Sequence, residues 1–305
     1  MAYSIGIDLG GTKIAGVLVN DKLEIITYEK IPVEPERRVE KVLNDVVYLA
    51  RFLMEKLENR NELVGMGIAC PGLVDITRGV MIYSENLNWR NVPVVEILSK
   101  KLNISFYLEH DVRSGAIAEV FFGAGKKYQS LVYVSVGTGI SGTLIWEKQF
   151  IRGARGISAE LGHIIVEPGG PLCRCGNAGC LEALSSGSAM EREAYHLTKK
   201  TVSGAIIMQK AQENMLPFTS IVNQAAYYLG IGLANIAQIF DPEAIVLGGG
   251  IAETGDFWLN LVQSYYTKHQ FWSFPLPDLV LGSFKGKASV MGAAGLPLLK
   301  KEGLL

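Results

Sequence analysis

Three cysteines and a histidine are the residues of this sequence best suited to chemistry. Cys173-Arg-Cys175-Gly-Asn-Ala-Gly-Cys180 gives C-x-C-x4-C, and His163 lies a short way upstream. Three thiolates and one imidazole make a closed, tetrahedral Cys3His zinc site, structural rather than hydrolytic because no further polar ligand stands among them. The alternative is a set of reduced free thiols beside an unrelated histidine. Cysteines crowded this closely are poorly placed for a disulfide framework. Acids flank the segment: Glu160 opens Glu160-Leu-Gly-His163, and Glu182 follows Cys180. A structural metal would pin Glu160, His163 and Glu182 relative to one another. Rigid carboxylates and an imidazole suit the vicinal hydroxyls of a sugar. His163 can spend one ring nitrogen on the metal and offer the other to a substrate.

Glycine turns form the second group. Gly10-Gly11-Thr12-Lys13 follows Asp8 and separates two β-like runs, 4–8 and 14–19. Gly137-Thr138-Gly139-Ile140-Ser141-Gly142 matches G-x-G-x-x-G after the run 131–136. A dinucleotide fingerprint needs a helix to open at that turn, whereas 143–146 reads as another strand, so the Rossmann reading is rejected. Gly248-Gly249-Gly250 closes a short strand at 244–247. Without Cβ atoms such turns let backbone N–H groups approach an anion closely. Asp8 is placed to hold Mg2+ through water, and Thr12 and Lys13 to support phosphate oxygens. Ordinary hairpins, in which glycine only supplies a positive φ, are the competing reading.

Glu109-His110-Asp111 follows a strand at 104–108 and precedes a helix running to about 122. A carboxylate at the carboxyl end of a strand is well placed to face a cleft, yet Asp111 reads equally well as a helix N-cap. Asn86 and Trp89, in Tyr-Ser-Glu-Asn-Leu-Asn-Trp, have the composition of a sugar contact. They also read as a turn asparagine and a packing tryptophan.

The elements that must position these groups follow from periodicity. A third strand is expected over 23–31, a helix over 35–59, a buried strand at 64–69 ended by Cys70-Pro71-Gly72, and a helix over 94–102. A long apolar helix spans 221–240 and stops at Asp241-Pro242; the tail from Ser289 reads as helical. The phrases around residues 5–12 and 134–142 are both strand, glycine turn, strand, which hints at two related domains. The 305 residues suggest about two domains. With 49% hydrophobic and 19% charged residues, a disordered chain is excluded. The 29 basic and 30 acidic residues leave a net charge of -1, no electrostatic reason to expect nucleic acid or a membrane as partner. The N-terminus lacks a basic region and a long apolar run, so a cytoplasmic protein is expected.

On these motifs the sequence resembles, over essentially its whole length, the ROK family of bacterial sugar kinases and sugar-responsive repressors, within the actin-like ATPase superfamily. Asp8-Leu-Gly-Gly-Thr-Lys13 and Val136-Gly-Thr-Gly139 look like its phosphate motifs, and Ile245-Val-Leu-Gly-Gly-Gly250 like its adenosine motif. Glu160-Leu-Gly-His163 with Cys173-x-Cys175-x4-Cys180-Leu-Glu182 looks like its sugar and zinc signature. The resemblance implies an α/β fold of two RNase-H-like domains with an interdomain cleft and a structural zinc site. The expected boundaries are 1–114 with 290–305 for a small N-terminal domain and 115–289 for a larger one. It implies ATP, Mg2+ and structural zinc, with Asp111 taking the proton from a sugar hydroxyl. Glu160, His163 and Glu182, with Asn86 and His110 and the loop glycine Gly72, would meet the sugar. The family carries Asn immediately before the base; His110 stands there instead. Ser141 also replaces a common glycine.

The expected activity is ATP-dependent phosphorylation of a hexose, glucose first, with N-acetylmannosamine, N-acetylglucosamine, mannose and fructose as neighbouring acceptors. A sugar-sensing repressor is the reading from another class. Such proteins carry a winged helix ahead of the first phosphate motif, and Asp8 lies too early for one to be expected. A catalytically dead sugar-binding module is disfavoured by Asp8, Gly10, Gly11, Lys13 and Asp111. The resemblance also implies a homodimer or homotetramer.

Overall fold

A computed structural model describes residues 2–269 and 274–305. The chain forms two compact units: residues 1–123 with 287–305, and residues 124–286. The first unit therefore extends past the expected boundary at 114, because the helix after Asp111 is continuous to Phe122.

The first unit opens with β1 (Tyr3–Leu9), β2 (Lys13–Asn20) and β3 (Ile25–Pro32). The predicted third strand starts later than residue 23, since Leu23 sits in the turn with φ 60. Helix α1 (Val39–Met54) follows, shorter than the span 35–59, and buries Val42, Leu43, Val46, Leu49 and Leu53 along one face. Then come β4 (Leu63–Cys70) and three short strands absent from the sequence reading, β5 (Leu73–Asp75), β6 (Val80–Ser84) and β7 (Trp89–Val92). They form a separate three-stranded sheet. Helix α2 (Val94–Leu102), β8 (Phe106–His110) and α3 (Asp111–Phe122) complete this run. The strand β8 lies two residues later than expected because Asn103 ends α2 in the left-handed conformation.

The second unit contains β9 (Leu131–Val136), β10 (Ile140–Trp146), β11 (Gln149–Ile151), α4 (Leu181–Ser185), α5 (Gly187–Thr198), α6 (Gly204–Gln212), α7 (Phe218–Phe240), β12 (Ala244–Gly248), α8 (Asp256–Tyr266) and β13 (Asp278–Leu281). Helix α9 (Ala288–Lys301) returns to the first unit.

Each unit is built on a five-stranded mixed sheet, ordered β3-β2-β1-β4-β8 in the first and β11-β10-β9-β12-β13 in the second. Counted within each unit the order is the same: the third strand lies at one edge, the first at the centre, and the last at the other edge. The repeated strand, glycine turn, strand phrase is thus the start of the same sheet built twice. In both sheets the first two strands pair antiparallel, and the first, fourth and fifth run parallel. Parallel strands place their carboxyl ends along one edge of the sheet, which is where open α/β sheets hold ligands. Each unit has its own apolar core. Among the described residues no helix is long and apolar enough to cross a membrane.

Helix α9 packs very close to the first sheet. Gly6 on β1 and Gly67 on β4 make room for it: a Cβ on Gly6 would lie 2.2 Å from the Val290 carbonyl, and one on Gly67 would lie 1.9 Å from that of Ala293. A heavy atom cannot sit so near backbone, so glycine at these two central-strand positions is a packing requirement rather than a turn signal.

Candidate active site

In the first unit the carboxyl ends of β1, β4 and β8 carry Asp8, Cys70 and His110–Asp111. The register sets Asp8 beside Ala69, and Cys70 beside His110. Asp8 accepts a hydrogen bond at Oδ1 from Ser289 Oγ, 2.9 Å away. Ser289 is at the start of α9, and its own carbonyl accepts from Ser114 Oγ at 2.7 Å. The close seat of α9 on Gly6 and Gly67 is what delivers this hydroxyl. Burial pushes Asp8 up from 3.8 to about 6, with repulsion from Asp111 adding to it. The Ser289 bond and the charge of Lys13 act the other way. Asp8 and Asp111 therefore feel one another, and a divalent cation beside them would favour both charges. Burial also raises the Cys70 thiol well above its ordinary value, helped by the same two carboxylates.

Asp111 is not the N-cap. His110 occupies that position and makes no side-chain cap bond. Asp111 opens α3 as its first residue, and its Oδ1 accepts from the Val112 N–H at 2.7 Å. Below it, Glu109 Oε1 accepts from the His110 N–H at 2.9 Å and from Arg113 Nε at 3.1 Å. Both side chains of that ion pair are nearly buried.

The first glycine turn is tied at both ends. Gly10 N donates to the Lys13 carbonyl at 3.0 Å, and the Gly11 carbonyl accepts from Arg37 Nε at 2.9 Å. A Cβ on Gly11 would meet the Asn86 carbonyl at 2.8 Å, so the 85–88 turn lies directly against it. The structure thus brings Asn86 to the first glycine turn, with its side chain exposed. Thr12 and Lys13 are exposed at the turn's tip. Trp89 is a packing residue: it is buried and its Nε1 donates to the Arg37 carbonyl. Gly72, with φ +94, leaves room for the Tyr83 carbonyl, which a Cβ would approach to 2.3 Å.

In the second unit, one ligand atom from each of His163, Cys173, Cys175 and Cys180 lies within 4.8 Å of all the others. Cys175 Sγ is 3.6 Å from Cys180 Sγ, and Cys173 Sγ is 3.6 Å from His163 Nδ1. Zinc bonds of about 2.3 Å to sulfur in a tetrahedron separate two sulfurs by about 3.8 Å, so these atoms stand at the edges a zinc ion requires. Burial pushes the Cys180 thiol up to about 12 and raises Cys173, whereas the Asn177 backbone N–H lowers Cys175. A divalent cation reverses the effect of burial by holding thiolates directly. His163 turns Nδ1 to the thiols and keeps Nε2 for another partner.

The cluster holds the second glycine turn through Glu182. Glu182 Oε2 accepts from the Ile140 N–H at 2.9 Å, and its Oε1 lies 3.9 Å from Cys173 Sγ. A Cβ on Gly139 would stand 2.4 Å from Glu182 Oε2, so glycine there is what admits the acid. The carbonyls of Gly137 and Thr138 accept from the Gly187 and Ser188 N–H groups at the start of α5. Gly249, with φ +85, lies against Val136, and Gly250 N lies near Gly137, so the second and third glycine turns adjoin. Glu160 is exposed, follows Ala159 in the left-handed region, and precedes the short turn Leu161–His163. A cavity of about 270 Å³ opens beside Glu182 and is also lined by Arg174, Ser186, Ser188 and Arg192.

The comparisons with known proteins bear on the family and the fold. The ROK family profile covers residues 4–300. A glucokinase of Streptomyces coelicolor is 30% identical over 318 residues, spanning 97% of this chain and 98% of the relative. A xylose repressor of Bacillus spizizenii is 34% identical over 265 residues, 86% of this chain and 68% of the repressor. Among solved structures, a ROK family glucokinase from Streptomyces griseus, in complex with glucose and AMPPNP, superposes with a TM-score of 0.86 at 28% identity. It covers 97% of this chain and 99% of that one. With its family match, its doubled sheet and its His/Cys3 cluster, this chain belongs to the ROK family.

Proposed function

We propose that the protein is an ATP-dependent sugar kinase that phosphorylates a hexose, with glucose the leading acceptor and Asp111 the general base. The observation that carries the reading is the approach of Asp8, near the carboxyl end of β1, and Asp111, which follows β8 two strands away in the parallel part of the same sheet, beside a glycine turn that ends in Lys13. Its kinase relatives, one of them solved with glucose and AMPPNP, support it. In this reading Asp111 takes the hydroxyl proton as the sugar oxygen attacks the terminal phosphorus of ATP and the bond from that phosphorus to ADP breaks. Lys13 and the glycine turns at Gly10–Thr12 and Gly137–Gly139 meet phosphate oxygens, and the turn at Gly248–Gly250 meets the adenosine side. Glu160, His163 through Nε2 and Glu182 through Oε1 on the second unit, and Asn86 and Gly72 on the first, are the residues assigned to the sugar. Asp8 would hold one Mg2+, which would supply charge neutralisation for the phosphates, and His163, Cys173, Cys175 and Cys180 would hold one structural zinc. Phosphoryl transfer asks of the protein mainly positioning and charge stabilisation. A cytoplasmic homodimer or homotetramer is the expected state.

ADP release measured across a panel of hexoses, N-acetylhexosamines and xylose tests this. Turnover with at least one hexose is expected, and Asp111→Asn should lower kcat by at least about 10³ while sugar binding survives. Sugar binding without any ADP release would favour the sugar-sensing alternative that the xylose repressor relative raises. Near-normal turnover by Asp111→Asn would remove that residue from its role.

A further inference from the structure

We propose that His110 is a positioning residue for Asp111, holding one carboxylate oxygen so that the other is presented to the sugar. The proposal rests on the reading of Asp111 as the base. His110 Nε2 lies 3.2 Å from Asp111 Oδ1, the oxygen that also accepts from the Val112 N–H at 2.7 Å. Among the described residues no hydrogen bond to Oδ2 is made. A carboxylate free to turn about its last bond exchanges its oxygens. Two nitrogen neighbours on the same oxygen oppose that turn and leave Oδ2 outward. The Asp111 side chain retains 34% exposure and that of His110 19%, enough for a substrate to reach the carboxylate while the ring stays seated.

The backbone that carries the ring is held from below. His110 ends β8 opposite Cys70, and its backbone N–H is fixed by Glu109 Oε1, itself clamped by Arg113. The ionisable groups around the pair are Asp8 from β1, Cys70 from β4, and the Glu109–Arg113 pair from β8 and α3. Arg113 pairs with Glu109 and Lys13 acts on Asp8, and the His110 imidazole is the side-chain nitrogen that stands at the base. A ring set against the base in this way, rather than against the sugar as the resemblance implies, predicts a loss in turnover rather than in sugar affinity when the ring is removed.

The test is a set of three variants with a diffraction arm. His110→Ala should lower kcat about 10- to 100-fold, the cost of a misplaced reacting group, with the sugar KM within about threefold. His110→Gln, whose amide can donate to the same oxygen, should recover most of that loss. His110→Asn, whose shorter amide falls short of that oxygen, should leave kcat depressed with KM little changed. Unfolding midpoints equal to wild type exclude misfolding as the cause. Independently, wild-type crystals with and without hexose should both keep Nε2 on Oδ1, with a sugar oxygen nearest Oδ2. A KM raised tenfold by His110→Ala at unchanged kcat, or a ring swung onto a sugar hydroxyl, overturns the proposal. A wild-type protein inactive on every sugar would instead refute the kinase reading, and the sugar-free crystal would still decide the contact.

Discussion

Replacing Asp8 by asparagine should make the protein more stable at neutral pH while abolishing its activity. The folded carboxyl titrates at about 6, against 3.8 in an ordinary environment, because burial and Asp111 oppose its charge. Between those two values the folded chain holds more protons than the unfolded one, so wild-type stability falls as pH rises through this window. Each tenfold change in proton affinity is worth about 1.4 kcal/mol, so charging Asp8 costs the fold up to about 3 kcal/mol at pH 7. Asparagine carries no charge and keeps an acceptor oxygen for Ser289 Oγ. The assay is urea unfolding of both proteins at pH values from about 4 to 8, in buffer free of Mg2+ and nucleotide, since either would favour the carboxylate. Other titrating groups cancel in the difference between variant and wild type. That difference should be small or unfavourable near pH 4, should rise in favour of Asp8→Asn through about 6, and should level off above it. A flat difference, or one that falls with pH, would refute the reasoning that this carboxylate is held against its own solvation.

The remaining expectations concern the elements around it. One zinc per chain should be found by atomic emission, and Cys175→Ser should lose both the metal and much of the second unit's stability; a fully active, metal-free preparation would contradict this. Arg113→Met takes the guanidinium away from the buried Glu109 carboxylate and should destabilise the first unit by about 3–5 kcal/mol, with part recovered by Glu109→Gln in the same chain; denaturant midpoints decide it. Gly139→Ala sets a methyl group 2.4 Å from Glu182 Oε2 and should displace that acid. The sugar KM should then rise about tenfold, as expected for loss of a hydrogen bond to a charged group, and an unchanged KM would free Glu182 from the site.

The parts of this site legible in the sequence are those whose residues lie near one another in the chain. Cys173, Cys175 and Cys180 declare a metal because their spacing is local, and the two strand, glycine turn, strand phrases declare the doubled sheet for the same reason. Asp111 was legible as a carboxylate at a strand's end, but not as the first residue of its helix rather than the cap. Ser289 was not legible at all as a partner of Asp8. It comes from the far end of the sequence, and only the seat of α9 on Gly6 and Gly67 joins them. Those two glycines read as weak points in strands, and their purpose lies in a helix that local pattern cannot connect to them. The grip of Glu182 on the Ile140 amide, and the approach of Asn86 to Gly11, are likewise contacts between distant segments. Arg113 escaped notice because its partner four residues back is in a strand, where no helical spacing pairs them.

The return of α9 has a further consequence for how the molecule is made. The second unit is one uninterrupted stretch, 124–286, whereas the first is finished only by residues 287–305. During synthesis at about 5–20 residues per second, the ribosome spends on the order of ten seconds or more on that stretch before α9 exists. Throughout that interval Gly6 and Gly67 lack the helix that packs against them. Asp8 therefore meets its serine only after the whole of the second unit has been synthesised.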